Sequence, residues 1–147
     1  MRTVIIDASV AIKWFIKHEE GKFQALHLLK KFKSEELEFI VPDLLFYEVT
    51  NAFKTFISAK RISFVIGKRY LKKLVGLNLI TISYSELIDL ALNLSNKFDI
   101  TIYDASYLAL AKLQNLPFYT ADQKLLSKIS SNFKNAHYLL DLQTETN

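Results

Sequence analysis

Four acidic residues carry the chemistry that this sequence offers: Asp7, Glu48, Asp104 and Asp122. Asp7 directly follows the apolar run Val4-Ile5-Ile6 and precedes the apolar segment Val10 to Ile16. Asp122 stands in the same way between Pro117 to Thr120 and the helical pattern Gln123 to Ile129. Asp104 opens the helical pattern that carries Leu108, Ala109 and Lys112, whereas Glu48 lies inside another, three residues after Leu45 and four before Ala52. Taken singly, each aspartate reads as a helix N-cap, accepting hydrogen bonds from free amides and contributing about 1 kcal/mol. Glu48 alone reads as a side chain at the edge of an apolar stripe, reaching water. Taken together, the four have another reading. Carboxylates gathered at one place repel one another and hold their protons more tightly unless a cation neutralises them. With no cysteine, and with His18, His27 and His137 too scattered to pair on a metal, the donors are oxygens, which suits Mg²⁺ or Mn²⁺. Such an ion activates water for attack on a phosphodiester and stabilises the charge that builds on the phosphoryl oxygens. Four acids leave one ion or two open.

The elements that must position these acids are legible as alternating patterns. Continuous apolar, β-branched runs at Thr3 to Ile6, Glu38 to Val41, Leu79 to Ile82, Pro117 to Thr120 and Tyr138 to Leu140 read as strands buried on both faces. Between them, Ala25, Leu28, Leu29 and Phe32 follow helical spacing, as do Leu87, Leu90, Ala91 and Leu94, the latter preceded by a Ser83–Glu86 capping box. A long helix is expected from Asp43 to Lys60 on the stripe Leu45, Val49, Ala52, Phe53 and Phe56, and a shorter one from Phe64 to Val75 with Ser63 as its cap. Strands alternating with helices imply an α/β fold with a central, mostly parallel sheet of about five strands and helices on both faces. In such sheets ligands bind beyond the carboxyl ends of the strands, near the point where strand order reverses. Asp7 and Asp122 belong at that edge.

The composition fits this picture. The chain has 147 residues, half of them hydrophobic, enough for one sizeable core. We expect a single domain over 1–142 and a short tail from Gln143 to Asn147. The absence of cysteine excludes a disulfide scaffold and a thiolate metal site and points to a reducing cytoplasm. The start, Met-Arg-Thr-Val-Ile-Ile-Asp, breaks its apolar run too early for a signal peptide or membrane span, so a cytoplasmic protein without membrane contact is expected. The net charge of +4 is compatible with a polyanionic partner and equally with a solvated surface.

At this point the chain resembles the PIN-domain ribonucleases, and among them the VapC-like toxins of type II (VapBC) toxin–antitoxin systems. The resemblance rests on Val4-Ile5-Ile6-Asp7-Ala8-Ser9-Val10, on Pro42 to Ala52 with Glu48 at its centre, on Tyr103-Asp104-Ala105-Ser106-Tyr107-Leu108-Ala109-Leu110-Ala111, and on Thr120-Ala121-Asp122. It covers nearly the whole chain. It implies a Mg²⁺- or Mn²⁺-dependent endoribonuclease in which Asp7, Glu48, Asp104 and Asp122 are the metal-binding acids. Ser9, Asn51 and Thr120 would be their polar supports, although the same residues also read as capping, turn or solvent-facing positions. The resemblance also implies a homodimer and a small antitoxin that places a basic residue among the carboxylates, where a guanidinium competes with the metal through charge-assisted hydrogen bonds.

Other features weigh less. Lys13 and Lys17, one turn apart after Asp7, are candidates for phosphate contacts on RNA, with a solvated helix face as the alternative. Trp14, Phe15 and the other aromatics suit base stacking but fall mostly on core stripes. A phosphoryl-transfer domain using Asp7 as nucleophile would want a second acid two residues on, where Ser9 stands. A housekeeping RNA-processing nuclease without antitoxin, and an inert PIN-like binding module, are the alternatives closest to the main reading.

Overall fold

The computed structural model describes residues 1–129 and 131–144. Strand β1 (Arg2–Ile6) leads into a short helix α1 (Ala8–Ile12), followed by α2 (Lys22–Lys33), β2 (Leu37–Pro42), α3 (Leu44–Ser58) and α4 (Phe64–Val75). Then come β3 (Ile80–Ile82), α5 (Tyr84–Phe98), α6 (Ile102–Gln114), β4 (Phe118–Thr120), α7 (Gln123–Ile129) and β5 (Ala136–Tyr138). The strands form one sheet in the order β3-β2-β1-β4-β5, and every pairing is parallel. The expected α/β class is therefore present, with a sheet that is wholly rather than mostly parallel among the described residues.

The central strands have the burial that their sequence implies. Val4, Ile5 and Ile6 on β1 and Phe39 and Val41 on β2 are fully buried, because helices cover both faces. On β3, an edge strand, Ile80 and Thr81 are exposed. Trp14 stacks on Phe39 at 5.6 Å and donates its indole N–H to the Ala25 carbonyl, so it belongs to the core rather than to a base-stacking surface. Helix α6 is buried from Ala105 to Ala111, packing on α5 and on β1, β2 and β4. It carries Asp104 into the middle of the fold.

Helix boundaries follow local chemistry. Ser63 caps α4 by accepting from the Ile66 amide at 3.2 Å, as expected. Asp99 and Asn115 adopt left-handed conformations that end α5 and α6, a role in which Asp and Asn are tolerated. The capping box at Ser83 and Glu86 takes a different form. Ser83 Oγ donates to Glu86 Oε1 at 3.2 Å and makes no cap bond, while the first amide of α5, Tyr84 N–H, donates to Asp43 Oδ2 at 3.3 Å. A carboxylate from the neighbouring β2–α3 junction has replaced the local cap.

Two further boundaries differ from expectation. Helix α3 stops at Ser58 rather than Lys60, which sits at positive φ and cannot continue it. The last strand runs Ala136–Tyr138, not Tyr138 to Leu140. Its partner β4 ends at Thr120, paired with Tyr138, so Leu139 and Leu140 have no ladder to join. They turn instead into a 3-10 segment, Leu139–Asp141, that buries Leu139 and packs on α2. At the start of α2, Gly21 has φ 76°, and a Cβ there would come within 2.8 Å of Leu140 Cδ1. Of the expected tail, Gln143 and Thr144 have no regular structure and the rest lies outside the described residues.

Candidate active site

The strand order reverses at the β1–β4 pair, where one crossover series runs to β2 and β3 and the other to β5. This is the crevice at which an open parallel sheet takes its ligand. The register pairs Ile5 with Phe118 and Ile6 with Tyr119, so the next step sets Asp7 opposite Thr120. Thr120 Oγ1 donates to Asp7 Oδ2 and accepts from the Asp122 amide at 2.9 Å. Ser9 Oγ donates to Asp7 Oδ1 and accepts from the Ala121 amide at 2.9 Å. Two hydroxyls thus hold Asp7 and tie it to the turn that carries Asp122.

Asp7 and Asp122 are also helix caps, as their positions suggest: Asp7 Oδ1 accepts from Val10 at 3.2 Å and Asp122 Oδ1 from Leu125 at 3.0 Å. Capping and a role in the site coexist. Asp104 is not a cap. Thr101 takes that place, accepting from the Asp104 amide at 3.1 Å, while the Asp104 carboxylate bonds Thr101 in return and senses Asp122. With both oxygens engaged and only 6% of its surface exposed, Asp7 is a poor nucleophile, which removes support from an aspartyl-phosphate reaction.

Glu48 reaches the cluster from α3, which begins one residue after β2 ends and so starts at the same sheet edge. Val49 beside it and Leu45 one turn earlier face the core, leaving Glu48 half-buried at the edge of the stripe. Its Oε1 accepts from the Tyr107 hydroxyl at 3.1 Å. The sequence reading quoted Tyr107 only as part of a motif. Its signal was a hydroxyl-bearing aromatic three residues after Asp104 on a helix otherwise lined with Ala and Leu.

The electrostatics are those of carboxylates removed from water, with hydrogen bonds that offset only part of the cost. Burial pushes Asp7 up to about 6, against bonds from Ser9, Thr120 and Val10 that favour its charge, and Asp104 pushes it further the same way. Burial likewise pushes Glu48 up to about 7, with Tyr107 opposing and Asp7 and Asp104 adding to the rise. Asp104 is raised by burial first and then by Asp122. Each acid therefore senses at least one other. Among the described residues the salt bridges join only Lys13 and Arg61 to Glu19, so none neutralises the cluster.

The four acids lie within electrostatic range, yet no group of three or more Asp, Glu or His side chains among the described residues is tight enough to hold an ion by direct ligation alone. That spacing suits Mg²⁺, which dehydrates reluctantly and is commonly held by one or two carboxylates with water filling the remaining positions. The oxygen donors and their uncompensated charge fit such an ion. Glu48 lines an open cleft together with Tyr47, Asn51 and Tyr103. A separate cavity of about 380 Å³ lies at the opposite, amino-terminal edge of β4 and β5 and contains none of the acids. An extended polymer needs the open groove rather than that pocket.

The remaining sequence candidates divide. Asn51 lines the cleft but has no side-chain hydrogen bond to a carboxylate among the described residues. The Lys13 side chain is only 12% exposed and its ammonium stands 3.9 Å from Glu19. Lys17 borders a different hollow, with His18, Arg61 and Tyr70. The cation that does act on the site is Lys128 of α7, which favours ionised Asp104. No sequence pattern singled it out. Among aromatics, Tyr47 and Tyr103 are 80% and 59% exposed at the cleft, unlike the core-facing majority.

The Thr120 relay makes a direct prediction. Thr120→Val strips the donor from Asp7 and the acceptor from the Asp122 amide, and is expected to cost about 2–4 kcal/mol in urea unfolding. Thr120→Ser should recover most of the loss, whereas an unchanged midpoint for the valine variant would mean that the hydroxyl bridges nothing.

Comparison with known proteins places this geometry. The fold resembles the crystal structure of PAE2754 from Pyrobaculum aerophilum, with 26% identity, a TM-score of 0.68, and coverage of 93% of this chain and 92% of that one. A toxin–antitoxin complex from Klebsiella pneumoniae matches with 17% identity and a TM-score of 0.62 over 95% of this chain and 99% of that chain. VapC20 of Mycobacterium tuberculosis, a toxin that cleaves the sarcin–ricin loop, matches with 10% identity and a TM-score of 0.62 over 84% and 93%. No curated protein sequence matches significantly. The family model for the PIN domain matches residues 4–131, which includes all four acids and both hydroxyl supports. The chain belongs to the PIN-domain family.

Proposed function

We propose that this chain is a Mg²⁺- or Mn²⁺-dependent endoribonuclease that hydrolyses RNA phosphodiester bonds, and that it is the toxin of a toxin–antitoxin pair. The observation that carries the reading is the set of half-buried and buried carboxylates at the β1–β4 reversal, Asp7, Glu48 and Asp104 raised by burial and by neighbouring acids, with no salt bridge among the described residues to neutralise them. Asp7, Glu48, Asp104 and Asp122 would hold the ion. When bound, it supplies a polarised water and positive charge for the phosphoryl oxygens.

The protein's own residues do the rest. Ser9 and Thr120 fix both oxygens of Asp7, so its carboxylate needs little reorganisation to meet a cation. Tyr47 and Tyr103, exposed on either side of Glu48, offer faces on which unpaired bases stack. Lys128 adds positive potential beside Asp104 for a phosphate.

RNA as substrate is supported by the likeness to a toxin that cleaves the sarcin–ricin loop, and a protein antitoxin by the likeness to a toxin–antitoxin complex. The antitoxin would seat a basic side chain among the carboxylates and exclude the metal. We place residues 1–142 in one working domain, a homodimer in the cytoplasm; no helix among the described residues is long and apolar enough to cross a membrane.

The test is incubation of purified protein with a structured RNA pool in EDTA, Mg²⁺ or Mn²⁺, beside Asp7→Asn. Cleavage is expected only with metal and only from the wild type. Equal behaviour of wild type and variant in every buffer would overturn the nuclease reading. The toxin assignment fails separately, if expression of this chain alone in a bacterial host leaves growth unaffected while the enzyme is active.

A further inference from the structure

We infer that Tyr107 is a positioning residue for the metal site, holding Glu48 in the orientation in which its free oxygen meets the ion. The inference deepens the nuclease reading above and rests on it. Tyr107 is 1% exposed, and its ring lies nearly parallel to Phe118 of β4 with centroids 6.1 Å apart. The phenol is therefore fixed by packing before any ligand arrives. Its hydroxyl donates to Glu48 Oε1 at 3.1 Å, across 59 residues of sequence, and the Ala8 amide approaches the same hydroxyl. One buried oxygen thus joins α6, α3 and the β1–α1 turn that carries Asp7.

A glutamate half-exposed on a helix has three side-chain torsions to order before it can ligate anything, and that ordering opposes binding. The bond from Tyr107 removes much of this freedom in advance. It engages Oε1, and no hydrogen bond among the described residues engages Oε2; Glu48 lines the cleft with Tyr47, Asn51 and Tyr103. Outer partners of metal-ligating side chains commonly change affinity or activity by about 10–100-fold when removed. Tyr107→Phe is the informative change, because it keeps the ring on Phe118 and deletes only the donor.

The experiment is calorimetric titration of Mn²⁺ into wild type, Tyr107→Phe, Glu48→Gln and the double variant, with cleavage measured against Mn²⁺ concentration in parallel. Tyr107→Phe is expected to weaken Mn²⁺ binding by about 10-fold and to raise the Mn²⁺ needed for half-maximal cleavage equally, with kcat at saturating metal nearly unchanged. The double variant should bind Mn²⁺ no more weakly than Glu48→Gln alone, since Tyr107 acts through Glu48. Wild-type affinity in Tyr107→Phe, or losses that add in the double variant, would overturn the positioning role while leaving the nuclease intact. A wild type that neither binds Mn²⁺ nor cleaves with it overturns the nuclease reading and this inference together.

Discussion

Asp104→Asn is expected to abolish RNA cleavage while holding or raising the melting temperature of the metal-free protein. In the folded chain the Asp104 carboxylate is half-buried, lies within reach of Asp122 and is pushed towards its neutral form by both. Its ionised form therefore works against folding at neutral pH, and an isosteric amide removes that opposition. The cost to the helix end is small, because Thr101 caps α6 through the Asp104 amide and the bond between Thr101 and the Asp104 carboxylate can still be accepted by the oxygen of an asparagine. Cleavage should fall by about 100-fold or more, the scale on which removal of one preorganised charge-stabilising group acts. Melting in EDTA and cleavage in Mn²⁺ read the two halves separately. A variant that melts several degrees lower without metal would mean that Asp104 is structural, and one that retains cleavage would remove it from the site.

Stability without metal should decline as pH rises from about 4 to about 7. Asp7 holds its proton up to about 6 in the folded chain, against 3.8 for the ordinary carboxyl group. Between those values the folded state carries a proton that the unfolded state has released, so stability is highest below the unfolded value and is lost as pH climbs through the folded one. For this buried group the difference corresponds to about 3 kcal/mol. In a chain of this length that lowers the melting temperature by roughly 6–12 °C. Glu48, pushed up to about 7, acts in the same direction over a higher range, but it is partly exposed and solvent screening reduces its share. A divalent cation that binds only the ionised acids should recover most of this loss near pH 7.5 and little near pH 5. Asp7→Asn should flatten the profile. A wild-type melting curve independent of pH in EDTA, or Mn²⁺ stabilisation equal at both pH values, would contradict the crowding of charge on which the site rests.

Sequence alone determined the kind and order of elements and singled out the four acids as candidates. Continuous β-branched runs and helical spacing are local properties, so β1, β2, α4 and α7 lie within a residue or two of where their patterns put them. Asp7 and Asp122 were recognisable because each directly follows a strand run. Ser9 and Thr120 came through the motifs around them. What only the tertiary structure decided are contacts between distant segments. The register that sets Thr120 against Asp7 spans 113 residues, and the Tyr107–Glu48 bond spans 59; no local periodicity encodes either. The reversal of strand order between β1 and β4, which makes their carboxyl ends a crevice, depends on where the crossovers close. The same holds for charge: Lys13, in the segment that follows the first acid, stands 3.9 Å from Glu19, while Lys128, far along the chain, acts on Asp104. Helical and strand periods report which face a residue takes, and burial follows from that. Which charge meets which carboxylate follows only from packing, because electrostatic range is measured through space and not along the chain.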